Sequence, residues 1–433
     1  MSVDGPDRDS RRRWRGFWSW LVAALLVRIG TAALLAGKIA AAERAGFAKD
    51  AVDTYDPLVK SLLAGQGFAI PPWGATAFHV PVYPLLIAGS RLLLRHPQAS
   101  VLAVQAVSGA LVVALVFLLA QSLLGNKPGH LSAALALFYP DLMVYSLFNL
   151  SDMPYLALFL AGSVLLLWVA RSSRKVRAVP LGVVLGLGAL TRESAAGLAG
   201  LWLFVLAWKK DHEGRRHLKA ATLAGVTFLL TILPWGIRNW VVFHEVIPLS
   251  TKGAQNFYEA TVIRDAPLSG YREAGDVFIW PANDRERRVA ERLKHVRSRQ
   301  ERDRIFLEAA AENLRSDPWA QLVHVGRKFL FLWGSTLGPR HAARVGWAPI
   351  LWAAAVWHYG MLGLALAGFW RLRRNGEVWL VLLLPIAFFT MVHLLIGDAE
   401  PRYHLPAVPA LLTAAASWVT SRWDGTRRDS RER

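Results

Sequence analysis

Val101–Leu124 reads VLAVQAVSGALVVALVFLLAQSLL, and this stretch decides the fold class. It contains no charged side chain and is apolar on every helical face. A helix needs roughly 20 such residues to cross the hydrocarbon layer of a bilayer. A soluble helix of this length would show a polar stripe toward water.

The same pattern recurs on both sides of it. Phe17–Ala42, Leu131–Leu150, Met153–Ala170, Ala220–Val242, Trp347–Trp370, Val378–Ile396 and Leu405–Thr420 are long apolar runs. Shorter ones lie at His79–Leu94, Pro180–Leu190, Ala195–Trp208 and Leu322–Trp333. Hydrophobic residues make up 54% of the 433, and mean hydropathy is +0.30. The expected fold is therefore an all-α, polytopic transmembrane bundle of about 10–12 segments. The net charge of +19 fits basic residues flanking spans and touching anionic head groups, not nucleic acid. Cysteine is absent, so disulfides and thiol chemistry are excluded.

Lys and Arg stay on the cytoplasmic side of short loops. This places residues 1–16, with Arg11, Arg12, Arg13 and Arg15, inside as a basic N-terminus, and Phe17–Ala42 as a retained first helix rather than a signal peptide. The clusters at Arg171–Arg177, Lys209–Arg216 and Arg371–Arg374, and the tail 421–433, are also expected inside. Arg192, the loop His244–Asp317 and the turn around Arg402 then fall outside. Arg91 and Arg95 break this parity, because an odd number of runs separates them from Arg171. The expected organisation is a membrane module 17–243 with an acidic outer loop 43–77, an outer-face region 244–320 with an amphipathic helix around 285–304, and further spans in 321–420.

Chemistry concentrates in the polar interruptions. Asp50, Asp53 and Asp56 flank Tyr55 just after the first span. Asp56 before Pro57 reads as a helix cap, and equally the group offers a general base or a ligand for a hard cation. Asp152 starts a helix after Asn149-Leu150-Ser151, as a cap or as a second carboxylate. Arg192 splits an apolar stretch, which marks an ionisable residue as a functional hypothesis, with Glu193 its nearest neutralising partner. Arg238 and Arg402 stand at span ends, as phosphate ligands or as interfacial anchors. Phosphate-loop, dinucleotide-fingerprint, His-Glu-x-x-His and nucleophile-elbow motifs are missing from the sequence.

Four patterns together resemble a known family. They are Asp53-Thr-Tyr55-Asp56 running to Gly65-Gln-Gly67-Phe68 and on to Phe78-His79-Val80-Pro81-Val82-Tyr83-Pro84, and Tyr139-Pro140 through Ser151-Asp152. The others are Leu233-Pro234-Trp235 with Arg238-Asn239-Trp240, Phe243, Pro248–Thr251 and Gly253 to Asn256-Phe257, and Pro401-Arg402-Tyr403 with Pro406 and Pro409. This order is similar to the GT-C glycosyltransferases related to protein O-mannosyltransferases and aminoarabinose transferases. The resemblance implies sugar transfer from a polyprenyl-phosphate donor to a protein, lipid or glycan acceptor on the extracytoplasmic face, in a bacterial inner membrane. It implies catalytic roles for Asp53, Asp56 and Asp152, with Asp53 preferred as base, and substrate contacts from Tyr55, His79, Arg192, Arg238, Arg402 and Tyr403. Any divalent metal ion would be held by Asp53. The competing reading is a transporter or flippase of a lipid-linked or anionic solute, built around the interrupted helix at Arg192.

Overall fold

The computed structural model describes residues 6–44, 49–72, 74–172, 175–210, 217–263, 284–334 (apart from 295 and 297), 348–397 and 401–429, with short strands at 272–274 and 277–279. It is helical almost throughout. Among the described residues, helices α1 (Pro6–Arg44), α4 (Pro97–Leu124), α7 (Asp152–Ala170), α10 (Leu218–Phe243), α15 (Ala348–Leu372) and α16 (Gly376–Leu395) contain six stretches long and apolar enough to cross a membrane. Three shorter apolar helices accompany them: α3 (Val82–Leu94), α8 (Ala178–Ala189) and α9 (Ala195–Trp208). Asn126–Leu137 (α5) and Val408–Asp429 (α17) pack into the same core. The multi-pass helical bundle expected from hydropathy is what the chain forms.

Close approach of helices depends on a few glycines. A methyl at Gly182 would overlap Thr227 and the Ala224 carbonyl of α10, and one at Gly368 would overlap the Ala414 carbonyl of α17. Small residues let apolar helices associate by van der Waals contact where no hydrophobic drive exists between them.

The expected continuous run Leu131–Leu150 is divided. Helix α5 stops at Leu137, Tyr139-Pro140 breaks it, and residues 140–151 continue as α6 (Pro140–Val144) and a tight turn at Tyr145–Leu147. Proline disfavours the helical conformation in the residue before it, which accounts for the break. Helix α2 (Lys49–Leu63) likewise corrects the cap expected at Asp56, for it begins upstream and runs through Pro57.

The parity conflict resolves through one contact. Arg91 Nη2 donates to Asp56 Oδ1 at 2.8 Å, so the far end of α3 lies beside the acidic loop. At 13 residues α3 is too short to cross, and Arg91 and Arg95 share the acidic-loop end of the bundle. At the opposite end Arg171 Nε donates to Glu377 Oε1 at 2.8 Å, joining two turns both expected inside.

Three helices beyond α10 form a small satellite. Helices α11 (Gly253–Thr261), α12 (Asp284–Leu293) and α13 (Arg299–Ser316) bury Tyr258, Val289, Leu293, Ile305 and Phe306 together. The amphipathic pattern around 285–304 is thus two helices with a break between them. Asp317 caps α14 (Pro318–Leu332), its Oδ1 accepting from Ala320 N at 2.8 Å.

Candidate functional site

The acidic-loop end of the bundle is laced together by the residues of α10. Arg238 donates to the Phe68 carbonyl at 2.9 Å and to the Thr76 carbonyl at 2.8 Å. Trp235 Nε1 donates to Leu249 O at 2.6 Å, and Asn239 Nδ2 to Ile247 O at 2.9 Å. One helical turn thus grips both the first loop and the segment after α10. Thr251 N then bonds Ala77 O at 3.1 Å, and Val82 N bonds Leu190 O at 2.9 Å. Backbone groups that would otherwise lie unpaired are satisfied by this lattice, and it carries His79, Lys252 and Arg192 to one place.

At its centre Arg192 Nη1 donates to Asp152 Oδ1 at 2.6 Å. Asp152 is buried, and the pair lies under the Tyr403 ring, 4.8 Å from the guanidinium. Arg402 covers the same ring at 5.2 Å. His393 stacks on Tyr403 at 4.4 Å between ring centres. Two arginines therefore flank one phenol beside one carboxylate.

Tyr55 extends the cluster. Its hydroxyl donates to Ser151 Oγ at 3.4 Å, and its ring stacks on His79 at 4.2 Å. Burial raises the Tyr55 hydroxyl to about 12, so it stays protonated. His79 Nδ1 meets Lys252 Nζ at 3.1 Å. Burial, and then the adjacent Lys252 ammonium, hold His79 well below its ordinary range, leaving it neutral as an acceptor.

Tyr55, His79, Asp152, Arg192, Arg402 and Tyr403 are all brought together. Two expected residues stand apart. Asp56 pairs with Arg91 and Lys60, both at 2.8 Å. Burial pushes its carboxyl up, and the Lys60 and Arg91 hydrogen bonds outweigh that and hold it low. Its geometry is that of a clamp between α2 and α3. Arg238 also stands apart, its Nη atoms donating to the Phe68 and Thr76 carbonyls and to Asn239 Oδ1. The side chain of Asp53, on α2, lies outside the described residues. Sequence reading missed Lys252, Ser151 and Tyr83; the hydroxyl of Tyr83 donates to Asn149 Oδ1 at 2.7 Å and its ring meets Tyr55 edge-on. Tyr83 lay within the quoted motif, and Lys252 stood between two of its parts.

Around Asp152 the described residues do not assemble three metal-ligating groups. Among the described residues the one such group is Asp141, His358 and His404.

The bundle is similar in fold to solved membrane glycosyltransferases. Residues 78–237 match the family described as dolichyl-phosphate-mannose-protein mannosyltransferase, a stretch that includes His79, Asp152 and Arg192. Among solved structures, the chain is similar to the Archaeoglobus fulgidus oligosaccharyltransferase in the apo form, with TM-score 0.54, 15% identity, and cover of 96% of this chain and 52% of that one. The complex of the same archaeal enzyme, AglB, with an inhibitory peptide and a dolichol-phosphate gives TM-score 0.51 at 13% identity, with 96% and 52% covered. ArnT from Cupriavidus metallidurans bound to undecaprenyl phosphate gives TM-score 0.43 at 15% identity, with 93% and 78% covered. The chain spans about half the length of the oligosaccharyltransferase. No curated protein matches it.

Proposed function

We propose that this chain is a membrane glycosyltransferase that moves a sugar from a polyprenyl-phosphate donor to an acceptor at the acidic-loop end of the bundle. The observation that carries the reading is the convergence of Asp152, Arg192, Arg402, Tyr403, Tyr55 and His79 from distant stretches. The family match over residues 78–237 and the dolichol-phosphate in the AglB complex agree with it.

A lipid-linked sugar has an apolar tail for the bilayer and a charged head that must meet polar groups. In the proposed reaction the acceptor hydroxyl loses its proton to a carboxylate as its oxygen attacks the anomeric carbon. The bond from that carbon to the phosphate oxygen breaks, and the electron pair leaves with the polyprenyl phosphate. Arg192 and Arg402 receive the growing negative charge, in a site whose aromatic walls strengthen the attraction. Asp53 is the assigned base, and Asp152 assists by fixing Arg192. A divalent ion, if the two aspartates hold one, would supply further charge for the phosphate. The basic clusters at the Arg171 end support a site on the extracytoplasmic face, as in a bacterial inner membrane.

The test is sugar transfer by purified protein from a labelled polyprenyl-phosphate sugar, run beside translocation in liposomes. Arg192→Gln and Arg402→Gln are each expected to lower turnover by roughly 10²–10³, and Asp53→Asn to abolish it. Undiminished transfer in Asp53→Asn removes that residue from the mechanism. Translocation without transfer favours a transporter.

A further inference from the structure

Behind the site, α6, α15 and the turn Pro401–Ala407 meet at Asp141, His358 and His404. Each of the three is only 2% exposed. A carboxylate oxygen of Asp141 and one ring nitrogen from each histidine lie within 4.8 Å of one another.

The protonation pattern can be read from the partners. His404 Nδ1 faces the Leu332 carbonyl at 2.8 Å, and His358 Nε2 faces the Trp333 carbonyl at 3.0 Å. A carbonyl only accepts, so each of those nitrogens carries its hydrogen. In the neutral rings the remaining nitrogens, His404 Nε2 and His358 Nδ1, are lone pairs. The Tyr139 hydroxyl donates to His358 Nδ1 at 2.6 Å. His404 Nε2 and Asp141 Oδ2 are both buried and have no hydrogen-bond partner. They face each other at 3.6 Å.

Two unshared pairs turned toward each other in a dry interior repel, and something positive must lie between them. A proton would draw them to about 2.7–2.9 Å, the length of a charge-assisted hydrogen bond. Two ligands of a tetrahedral ion with bonds of about 2.0–2.1 Å stand roughly 3.4 Å apart. The Asp141–His404 separation of 3.6 Å is nearer the second case. The outer partners match it too, since a metal-binding histidine ordinarily gives its other N–H to a carbonyl or carboxylate. Here both carbonyls come from the end of α14, at Leu332 and Trp333.

We propose that Asp141, His358 and His404 bind a structural transition-metal ion, with zinc the fitting choice for two imidazoles and one carboxylate. The Tyr139 hydroxyl, released from His358 Nδ1, stands at the fourth position or bonds a water there. The ion ties α6 and α15 to the turn that presents Arg402 and Tyr403. It is a positioning element and takes no part in bond making.

The experiment uses the untagged full chain, loaded with Zn2+ and passed through gel filtration. About one tightly held zinc per chain is expected. His404→Gln and His358→Gln should weaken retention roughly 100-fold or more, and Asp152→Asn should retain it. Failure of this proposal is thereby separated from failure of the transferase reading. Should the glutamine variants not fold, Co2+ exchanged into the wild-type chain supplies a second measurement, the visible absorption of tetrahedral cobalt. Metal-free folded wild type together with an octahedral cobalt spectrum overturns the proposal. So does zinc that His404→Gln retains and Asp152→Asn releases.

Discussion

Cutting the Asp152–Arg192 pair tests whether the site is held by one buried charge couple. The two side chains are 7% and 19% exposed and touch at 2.6 Å. Removing one partner of such a pair costs about 3–5 kcal/mol, because the other charge stays behind in a medium that solvates it poorly. The burial of the survivor decides where in that range each variant falls. Asp152→Ala leaves Arg192, which is more exposed and keeps the Tyr403 ring 4.8 Å away, so the loss is about 3 kcal/mol. Arg192→Ala leaves the deeper carboxylate and is expected to cost about 4–5 kcal/mol. The double variant Asp152→Ala, Arg192→Ala leaves no unpaired charge behind, and its loss is expected to be about 4 kcal/mol, from the space vacated by the two side chains. The readout is reversible unfolding by SDS or urea in mixed micelles, followed by the fluorescence of the 19 tryptophans. The coupling between the two sites should reach about 3 kcal/mol or more, where independent sites add within about 0.5. Additive losses, or an Asp152→Ala variant as stable as the wild type, would refute the argument.

Four further outcomes follow from the same structure. Arg238→Ala removes two charge-assisted hydrogen bonds to Phe68 O and Thr76 O, so unfolding should lose about 3 kcal/mol and protease should cut the first loop faster; unchanged cleavage would contradict the clamp. His79 is held neutral, with its folded pKa below the unfolded value of about 6.5, so the unfolded chain binds more protons in acid. Stability should therefore fall by about 1.4 kcal/mol per pH unit below 6.5 until the folded pKa is reached, and His79→Gln should flatten that slope; a pH-independent unfolding midpoint in the wild type argues against it. Gly368→Val should lower stability by about 1–3 kcal/mol or more, since the added atoms overlap the Ala414 carbonyl, while Gly360→Val, with open space at its Cβ, should change it little. Because the chain has no cysteine, Lys127→Cys and His244→Cys can be labelled singly, and an impermeant reagent added to sealed vesicles should reach only one of the two; equal labelling of both would undo the assigned topology.

Hydropathy made the bundle legible, because a bilayer demands long apolar runs whatever their partners. It also misled where a proline divided such a run. Leu131–Leu150 reads as one span, yet the break at Tyr139-Pro140 puts Asp141 and Asp152 at buried helix starts. The charged members of the site were legible for a related reason. Asp152 and Arg192 interrupt apolar sequence, and a charge there needs a partner or a task. What the residue pattern alone did not disclose was which partner. Glu193 adjoins Arg192 in sequence, but the residue that the guanidinium meets is Asp152, at the start of α7.

Contacts to main-chain carbonyls were the least visible of all, since every residue offers one. Arg238 has the charge of a phosphate ligand, and only the folded loop shows it bonded to Phe68 O and Thr76 O. His404 looks like part of a basic turn, and only the carbonyl of Leu332 fixes which of its nitrogens faces Asp141. The two cases separate what a side chain can do from what its neighbours leave for it to do. A guanidinium occupied by carbonyls positions a loop, whereas an imidazole with one nitrogen so occupied has its other nitrogen set in direction. The same kind of main-chain contact therefore assigns Arg238 to architecture and makes His404 a ligand.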